Sequence, residues 1–435
     1  MNVEERNRLI SREIADPAAV FPRLRLLERA RFRFEVDFGL PDLPKEPGLI
    51  SIRGPRQYGK STWLEQQVVR SLREFGPGST FYLNGDEVGS EQDLIRHIRR
   101  LVPAYSARAR ARRLFIDEIT AIGHWERALK ILIDGGELAD TLVVTTGSKA
   151  ADLRRGTERL PGRKGKLARS SFLFLPITYA EFRRQCEAAL GARTLAAYML
   201  AGGSPVALNE IAAGEDIPEY VVAMTRDWVL GEVAQAGRER GSMLAVLEQV
   251  YRHAGTPLGY TQLARDAGLA NNTVAAGYID LLGDLMALAP TFSWDASRRV
   301  AIRRRPCKFS FINLLAALSF DAAGMRSIED LERADPQRQG QWLEWLVAQE
   351  LWRRNARAGV EVPEQLLFWS SGKHEIDFVT GEDSFIEVKR GQASAPDFAW
   401  FARSFPRGRL TVVCGTPFET SQIRGVRVEE FLLEE

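Results

Sequence analysis

Two stretches of this 435-residue sequence carry residue types at spacings that suit phosphate chemistry. The first, GPRQYGKST at positions 54–62, contains the pattern G-x-x-x-x-G-K-[ST] in full. Glycines let backbone N–H groups turn toward phosphate oxygens, Lys60 can reach the β- and γ-phosphates, and the Ser61 hydroxyl can ligate Mg²⁺. The pattern therefore predicts a nucleotide-binding loop. Its predicted contacts are Gly54, Pro55, Arg56, Gln57, Tyr58, Gly59, Lys60, Ser61 and Thr62.

An acidic pair ends a predicted strand further along the chain. In RRLFIDEIT, the apolar run at 114–116 is followed by Asp117 and Glu118. An aspartate at the carboxyl end of a buried strand can hold Mg²⁺ and its water shell, and the adjacent glutamate can polarise the attacking water. Taken alone, two acids at a strand end are equally typical of a turn. A later strand, TLVVTTGS, ends at Ser148, where a hydroxyl could sense the γ-phosphate or the attacking water.

The second stretch, HEIDFVTGEDSFIEVKRG, occupies positions 374–391. Asp377 and the Glu387-x-Lys389 triplet lie in short apolar runs that alternate like strands. Burying carboxylates is costly unless a cation compensates, and a divalent metal ion is the obvious one. Glu387 and Lys389 project from the same face of a strand because side chains alternate. Whether a metal ion belongs at Asp377, Glu387 and Lys389 depends on the rest of the chain.

These residues need elements that position them, and the N-terminal half supplies a set typical of α/β proteins. The phosphate loop lies between the apolar run 49–53 and an amphipathic helix. Further strands are predicted at STFYLNGDE, RRLFIDEIT, TLVVTTGS and SFLFLPITYAEF. One strand separating the loop strand from the Asp-Glu strand is the pattern of NTPases with an additional strand and a catalytic glutamate. The prediction is a parallel P-loop sheet with ATP and Mg²⁺ as cofactors.

Six ordered motifs of the chain resemble those of a known family. GPRQYGKST, FIDEIT, TTGS, RLPGR, LPITYAEF and GGSP follow one another as in AAA+ ATPases of the archaeal-ATPase-like group, whose C-terminal domain is of unknown function. The resemblance implies that Arg163 of RLPGR acts on the γ-phosphate, in cis or from a neighbouring subunit. An arginine in a basic loop beside Lys164 and Lys166 is the alternative reading.

Around the second stretch, the predicted order of elements is helix, three strands, helix and strand. It resembles the core of PD-(D/E)xK nucleases, in which Asp, Glu and Lys converge on one metal site. The resemblance implies that Asp377 and Glu387 hold Mg²⁺, and that Lys389 stabilises charge on the phosphate and orients the attacking water. It also implies that Glu344, on the helix GQWLEWLVAQELWRR, completes the ligand set. D-x₉-E-x-K alone is a weak pattern, since acids and lysines are common. An inactive nuclease fold retained as a scaffold is the alternative.

The middle of the chain predicts a winged helix. Three helices are expected between 242 and 289, with Thr261 opening the second and Gly268 ending it. The third would present outward Asn272, Thr273, Ala276 and Tyr278. The segment TFSWDASRRVAIRRRPCKFSF then predicts a β-wing whose arginines could contact DNA backbone. Winged helices also serve as lids and dimer surfaces in AAA+ proteins. The wing arginines are Arg298, Arg299, Arg303, Arg304 and Arg305.

Bulk properties bound the remaining possibilities. A hydrophobic fraction of 45% and a charged fraction of 27% are typical of soluble globular proteins. The polar start and the lack of long apolar runs predict no signal peptide and no membrane partner, and three scattered cysteines fit a cytoplasmic chain. A net charge of +2 does not by itself indicate nucleic acid.

The predicted organisation has four segments. They are an ATPase core with an N-terminal helical extension at 1–185, a helical lid at 186–240, a winged helix at 241–310 and a nuclease-like domain at 311–435. Together they predict an ATP-dependent or ATP-gated enzyme that processes DNA, with the formation of a homo-oligomer left open. The rival prediction is a nucleotide-switched regulator that binds DNA or protein through an inactive nuclease-like domain.

Overall fold

The computed structural model describes residues 1–12, 14, 16–147, 153, 156, 160, 162, 165–214 and 216–434. Ser148 and Arg163, two predicted site residues, lie outside these residues. The described chain forms two compact units, Met1–Leu175 and Pro176–Glu435. The finer division at 185, 240 and 310 stays a prediction. Within the described ranges, no helix is both long and apolar enough to cross a membrane.

The first unit alternates strands and helices. Its helices are α1 (Val3–Ile10), α2 (Pro17–Val20), α3 (Pro22–Arg29), α4 (Lys60–Phe75), α5 (Glu91–Leu101) and α6 (Trp125–Asp134). Its strands are β1 (Gly48–Arg53), β2 (Thr80–Asn84), β3 (Arg112–Asp117), β4 (Thr141–Gly147) and β5 (Ser171–Leu173).

These strands form a parallel sheet in the order β2-β3-β4-β1-β5. The interior of each long strand is buried, as expected for a sheet covered on both faces. Strand β4 lies between the loop strand β1 and the Asp-Glu strand β3, which confirms the predicted P-loop α/β sheet. The register sets Arg53 beside Gly147 and Ile116 beside Thr145, so the carboxyl ends of β1, β3 and β4 meet at one edge.

The N-terminal helices cover the free edge of this sheet at β2. The buried Asn7 side chain donates from Nδ2 to the Tyr82 carbonyl at 2.7 Å and accepts from the Tyr82 N–H at 2.9 Å. It thereby satisfies the backbone groups that an edge strand otherwise exposes. Phe21, between α2 and α3, packs edge-on against the Tyr82 ring at 5.4 Å. The extension is therefore part of the core of this unit.

The second unit combines helices with two sheets. Its helices are α7 (Tyr179–Leu190), α8 (Thr194–Ala201), α9 (Pro205–Gly214), α10 (Glu219–Gln235), α11 (Arg240–Arg252), α12 (Tyr260–Asp266), α13 (Asn272–Asp284), α14 (Leu314–Ser319), α15 (Ile328–Arg333), α16 (Pro336–Ala358), α17 (Phe401–Ser404) and α18 (Val428–Leu433). Its strands are β6 (Leu288–Asp295), β7 (Val300–Ile302), β8 (Lys308–Phe311), β9 (Leu366–Ser370), β10 (Glu375–Ile376), β11 (Phe378–Val379), β12 (Ser384–Val388), β13 (Arg409–Val413), β14 (Phe418–Glu419) and β15 (Ile423–Val426).

The three helices predicted in the middle of the chain are α11, α12 and α13, followed by the antiparallel pair β6 and β7. Helix α12 begins at Tyr260, one residue before the predicted Thr261, and Asn271 caps α13 by accepting from the Val274 N–H at 3.0 Å. Gly268 follows α12 with a φ of +67°, a conformation that suits glycine.

One prediction for α13 is wrong. Asn272 and Thr273 are exposed and Ala276 is half-buried, but Tyr278 is buried rather than outward. Its hydroxyl bridges the backbone of Glu239, accepting from the N–H at 3.1 Å and donating to the carbonyl at 3.2 Å. The reason is helical periodicity, because Tyr278 belongs to the apolar stripe of α13. That stripe consists of Ala275, Tyr278, Ile279 and Leu282.

The elements around the second stretch occur in the predicted order: α16, β9, β10 with β11, β12, α17 and β13. Helix α16 begins after the Asp335 cap and ends at Ala358, and the next residue, Gly359, has a φ of +81°. The strand predicted at HEIDFVT is divided at Asp377. Strand β10 pairs with β9 and β11 pairs with β12, so each half lies in a different sheet.

The first sheet of this unit has the strand order β10-β9-β6-β7, and β8 also pairs with β6. The second sheet has the order β11-β12-β13-β15-β14. Because β6 pairs in parallel with β9, the predicted winged-helix and nuclease-like segments share one sheet. Strand β12 pairs antiparallel with β11 and parallel with β13, and the latter pairing sets Glu387 beside Val412. Residues 377 and 387 therefore face each other at the division between the sheets.

Candidate functional sites

The phosphate loop joins β1 to α4 and turns through two left-handed residues, Gln57 (φ +62°) and Gly59 (φ +97°). Gly54 must lack a side chain, since a Cβ there would lie 2.8 Å from the Phe174 Cβ. Lys60 is buried, and its Nζ donates to the carbonyls of Gly54 at 2.9 Å and Pro55 at 2.7 Å. Burial lowers the pKa of Lys60 to about 8. The ammonium thus lies inside the loop, where phosphate oxygens can replace the carbonyls as its partners.

Asp117 lies at the centre of the adjoining hydrogen-bond network. It is fully buried at the end of β3, and its Oδ1 accepts from the Ser61 hydroxyl at 3.1 Å and from the Thr146 hydroxyl. Its Oδ2 accepts from the Tyr82 hydroxyl at 3.3 Å. The two predicted metal contacts, Ser61 and Asp117, are therefore adjacent. A hydroxyl and a carboxylate are oxygen donors of the kind that Mg²⁺ prefers, so these residues fit a nucleotide-bound Mg²⁺.

Glu118 follows Asp117 in a left-handed conformation with a φ of +46°, and its side chain is half-buried. Its N–H donates to the Thr146 hydroxyl at 3.2 Å. A Cβ at Gly85 would lie 2.2 Å from the Glu118 carbonyl oxygen, so only glycine allows this approach of β2 and β3. Glu118 lies close enough to the phosphate loop for its charge to act on Lys60, where it opposes the lowering of the Lys60 pKa by burial.

Two charged residues near Asp117 were not predicted from the sequence. Glu65, one turn after Ser61 on α4, is buried, and its Oε1 lies 2.9 Å from Nη1 of Arg23 on α3. The same Nη1 lies 3.6 Å from Oδ2 of Asp117. Burial raises the pKa of Glu65 to about 7; Asp117 adds to the rise, and Arg23 opposes it. The sequence does carry a signal for Glu65, since an acid on the apolar face of a helix is unusual. The other buried residues of that face of α4 are Leu64, Val68, Val69 and Leu72.

In the second unit, the structure brings Asp377, Glu387 and Lys389 together. The Asp377 N–H donates to Oε2 of Glu387 at 3.2 Å, and the Val388 N–H donates to Oδ2 of Asp377 at 2.9 Å. Nζ of Lys389 lies 2.5 Å from Oε1 of Glu387, as expected for two side chains on one strand face. These residues line a cleft of about 370 Å³ that also includes His374 and Trp400.

A second lysine, Lys308 on β8, was missed by the sequence analysis. Its Nζ is buried and lies 2.7 Å from Glu375, 3.0 Å from Asp377 and 3.4 Å from Glu344. Lys308 thereby links Glu344 on α16 to Asp377, which lies between β10 and β11. The sequence signal was a lysine flanked directly by the apolar residues Cys307 and Phe309.

Acids outnumber lysines in this cluster, with Glu344, Glu375, Asp377 and Glu387 facing Lys308 and Lys389. Burial, and then repulsion by Asp377, raise the pKa of Glu344 to about 7 and that of Glu387 to about 8. Burial opposes protonation of Lys308, but the attraction of Asp377, Glu344 and Glu375 outweighs it and raises its pKa. The cluster thus holds more carboxyl groups than ammonium groups, and the raised pKa values of Glu344 and Glu387 favour their protonated forms.

The three predicted ligands, Glu344, Asp377 and Glu387, present only carboxylate oxygens, and this donor set suits Mg²⁺. Oxygen atoms of all three carboxylates, however, already contact a lysine ammonium, and those of Asp377 and Glu387 also accept hydrogen bonds from backbone N–H groups. Among the described residues, no group of three or more acids, histidines or cysteines is arranged to hold a metal ion. A metal ion bound by these ligands would have to take over contacts that Lys308 now makes.

The parallel sheet, the phosphate loop and the Asp117 network define the class of the first unit as a P-loop NTPase. Residues 46–183, about a third of the chain, match the family model of an AAA domain. The chain therefore contains an AAA domain with the nucleotide-binding site of an ATPase. The N-terminal helices α1–α3 precede the matched residues.

Several solved structures are similar to the chain. The Walker-type ATPase PABY2304 of Pyrococcus abyssi aligns at 12% identity with a TM-score of 0.41, covering 62% of this chain and 90% of that one. The Aeropyrum pernix ORC1 protein, solved in complex with DNA, aligns at 15% identity and 0.33, covering 63% and 86%. Thermotoga maritima RuvB aligns at 16% identity and 0.31, covering 56% and 82%. No curated protein matches the chain. Likeness at this level transfers no function.

Proposed function

We propose that this protein is an ATP-dependent or ATP-gated DNA-processing enzyme that combines ATP hydrolysis with Mg²⁺-dependent phosphodiester cleavage. The observation that carries the proposal is the convergence of Asp377, Glu387 and Lys389 in one cleft, beside the helical Glu344. Carboxyl groups with raised pKa values are concentrated at functional sites, and a bound cation would offset the cost of burying their charged forms.

The ATP-hydrolysing half of the proposal assigns a role to each residue of the first site. Lys60 binds the β- and γ-phosphates, Ser61 and Asp117 hold Mg²⁺, and Glu118 polarises the attacking water. The hydrogen bond from Thr146 fixes the Asp117 carboxylate, so the orientation of the metal contact is set before nucleotide arrives. We also assign Ser148 to sensing the γ-phosphate and Arg163 to stabilising its charge during transfer.

The cleaving half of the proposal uses the second site. Asp377, Glu387 and Glu344 would hold Mg²⁺, which supplies Lewis-acid activation of a phosphodiester when bound. Lys389 then stabilises negative charge on the phosphate and orients the attacking water, because its ammonium projects into the cleft beside Glu387. Lys308 positions the Asp377 carboxylate through its ion pair with Oδ1.

The test is incubation of the whole protein with supercoiled, linear, single-stranded and branched DNA. Each substrate is combined with Mg²⁺ or Mn²⁺, with and without ATP. We expect metal-dependent cleavage of at least one substrate and a change in its rate on adding ATP. An absence of cleavage of every DNA, and of matched RNA substrates, under both metals contradicts the proposal.

We assign DNA-backbone contact to α11–α13 and the β6–β7 hairpin, acting as a winged helix. Arg298, Arg304 and Arg305 are exposed and suit phosphate contacts. Arg299 instead pairs with Glu382 at 2.5 Å, and Arg303 donates to Gln365 at 2.6 Å, so both also serve the fold. Arg299 and Arg303 therefore contact other side chains of the protein, whereas Arg298, Arg304 and Arg305 are the stronger candidates for phosphate contact.

Neutralising Arg303, Arg304 and Arg305 together should weaken DNA binding and flatten its salt dependence. Each lost phosphate contact removes about one unit from the slope of log affinity against log salt. The measurement is DNA binding across a salt series, with Arg73→Gln, an exposed arginine on α4 of the first unit, as the control. A triple variant with the wild-type slope would assign these arginines to the fold or to a protein interface.

One observation favours a second candidate function, a nucleotide-switched regulator with an inactive nuclease-like domain. Lys308 already compensates Glu344, Glu375 and Asp377, so an internal ammonium does part of what a metal ion would do. In that case the acids would be structural, and the second unit would bind nucleic acid or protein without cutting it.

Calorimetry separates the two candidates without relying on catalysis. Under the nuclease proposal, Mg²⁺ or Mn²⁺ should raise the unfolding temperature of the wild-type protein by mass action, but not that of an Asp377→Ala, Glu387→Ala double variant. Both proteins should be measured without nucleotide, so that the ATP site contributes little. Equal unfolding temperatures with and without metal favour the regulator.

A further inference from the structure

Arg23 approaches the ATP site from outside the segment that matches the AAA family. It lies in the first turn of α3, and the match begins at residue 46. Its Nη1 lies 2.9 Å from Oε1 of Glu65 and 3.6 Å from Oδ2 of Asp117. One guanidinium thus faces two buried carboxylates, one of which is the predicted Mg²⁺ contact.

Of the two acids, Glu65 has the fewer hydrogen-bond partners among the described residues. Its side chain is 3% exposed, and within the described part of the chain its Oε2 has no hydrogen-bond partner. A buried carboxylate oxygen without a donor is costly, so such groups are rarely kept for packing alone. Because Glu65 lies one helical turn after Ser61 on α4, its charge acts directly on the place where Mg²⁺ would be held.

The position of Arg23 is fixed by contacts that lead from the N-terminal helices to Asp117. Phe21, two residues earlier, is buried against Tyr82, and the Tyr82 hydroxyl donates to the same Oδ2 of Asp117 that faces Arg23. The Asn7 side chain is hydrogen-bonded to both the N–H and the carbonyl of Tyr82. The extension therefore contacts the metal-binding carboxylate through an aromatic ring and through a charge.

We propose that Arg23 and Glu65 are positioning residues that together set the Mg²⁺ requirement of the ATP site. The proposal rests on the ATPase function proposed above. A cation beside Asp117 lowers the affinity of that carboxylate for a second cation, and a buried anion raises it. Arg23 therefore weakens metal binding and Glu65 strengthens it. The N-terminal extension is in this way coupled to metal occupancy, because Mg²⁺ binding and the Arg23 contact oppose each other.

The test compares Arg23→Gln and Glu65→Gln in the full chain. We expect the free Mg²⁺ concentration that gives half-maximal ATP hydrolysis to fall about threefold in Arg23→Gln, since partly exposed charges interact modestly. The same concentration should rise by about threefold or more in Glu65→Gln. Arg23→Lys should restore most of the wild-type value. Arg25→Gln, an exposed arginine on the same helix, is the matched control and should behave as wild type.

Opposite shifts in the two variants support the proposal. Unchanged Mg²⁺ requirements, shifts in the same direction, or a lower maximal rate with no change in the Mg²⁺ requirement overturn it, since a merely structural role would give the last of these. A wild-type protein that hydrolyses no ATP contradicts the ATPase instead. The same comparison is then made with Mg²⁺-dependent binding of a fluorescent ADP analogue, which needs no hydrolysis.

Discussion

Replacing Lys60 with alanine should weaken ATP binding about 10- to 100-fold, because the phosphates lose the one cation that the loop itself buries among its carbonyls. The loop backbone should persist, since Gly54 and Gly59 set its turn without the lysine. The measurement is equilibrium binding of a fluorescent ATP analogue in Mg²⁺. Lys130→Ala, an exposed lysine on α6, is the control. A Lys60→Ala protein that hydrolyses ATP at the wild-type rate would show the ATPase assignment to be wrong.

Glu118→Gln separates binding from chemistry at the same site. The amide keeps the size of the side chain but cannot accept a proton from the attacking water, so hydrolysis should fall about 10²- to 10⁴-fold. Nucleotide binding should stay near the wild-type value, because Lys60, Ser61 and Asp117 are unchanged. Phosphate release and binding of the fluorescent analogue give the two readouts. Loss of nucleotide binding together with hydrolysis would indicate that Glu118 stabilises the structure at the end of β3.

The phosphate-loop half of the molecule was predictable because its signals are local. A strand, a six-residue loop at 54–59 and a helix are contiguous at 48–75, and their backbone geometry follows from glycine positions that the sequence displays. The Asp117 strand was predictable for the same reason, as an apolar run that ends in acids. Pairing within a parallel sheet then brings these ends together without further information.

What the sequence did not reveal depends on contacts between distant positions. Arg23 and Glu65 are 42 residues apart, and Lys308 and Asp377 are 69 residues apart. Neither pair has a spacing that a motif could encode. The wrong prediction for Tyr278 has a different origin: the ring lies on the apolar stripe of α13, and the hydroxyl finds its hydrogen-bond partners in the backbone of the distant Glu239.

At Asp377 the geometry of the structure differs from the geometry that the sequence pattern predicts. The pattern placed it within one strand, whereas the structure sets it where β10 ends and β11 begins. At that division its N–H is released from strand pairing and donates to Glu387 instead. The break also exposes one carboxylate oxygen to Lys308 and the other to the Val388 N–H. Two sheets therefore contribute to a site that the sequence assigned to two adjacent strands.

Asp377→Ala and Glu387→Ala should each reduce Mg²⁺-dependent DNA cleavage by about a hundredfold or more, since the metal loses a carboxylate ligand. Lys389→Ala should reduce cleavage about 10²- to 10³-fold, because the charge that develops on the phosphate then lacks its ammonium. All three should leave ATP hydrolysis intact, since the ATP site lies in the other compact unit. Cleavage of labelled DNA and phosphate release from ATP, measured on the same preparations, give the two readouts.

The controls for this prediction address the ion pairing that the substitutions disturb. Asp377→Ala leaves Lys308 with Glu344 and Glu375, so some loss of stability is expected, and each variant must first show a wild-type unfolding transition for the first unit. Glu361→Ala, an exposed acid after α16, should cleave as wild type. Lys308→Met tests the competing role: if the lysine stands in for a metal ion, its loss should tighten Mg²⁺ binding to the remaining acids. Cleavage that survives Asp377→Ala, Glu387→Ala and Lys389→Ala alike would place the nuclease elsewhere or in a contaminant, and the acids would then be structural partners of Lys308.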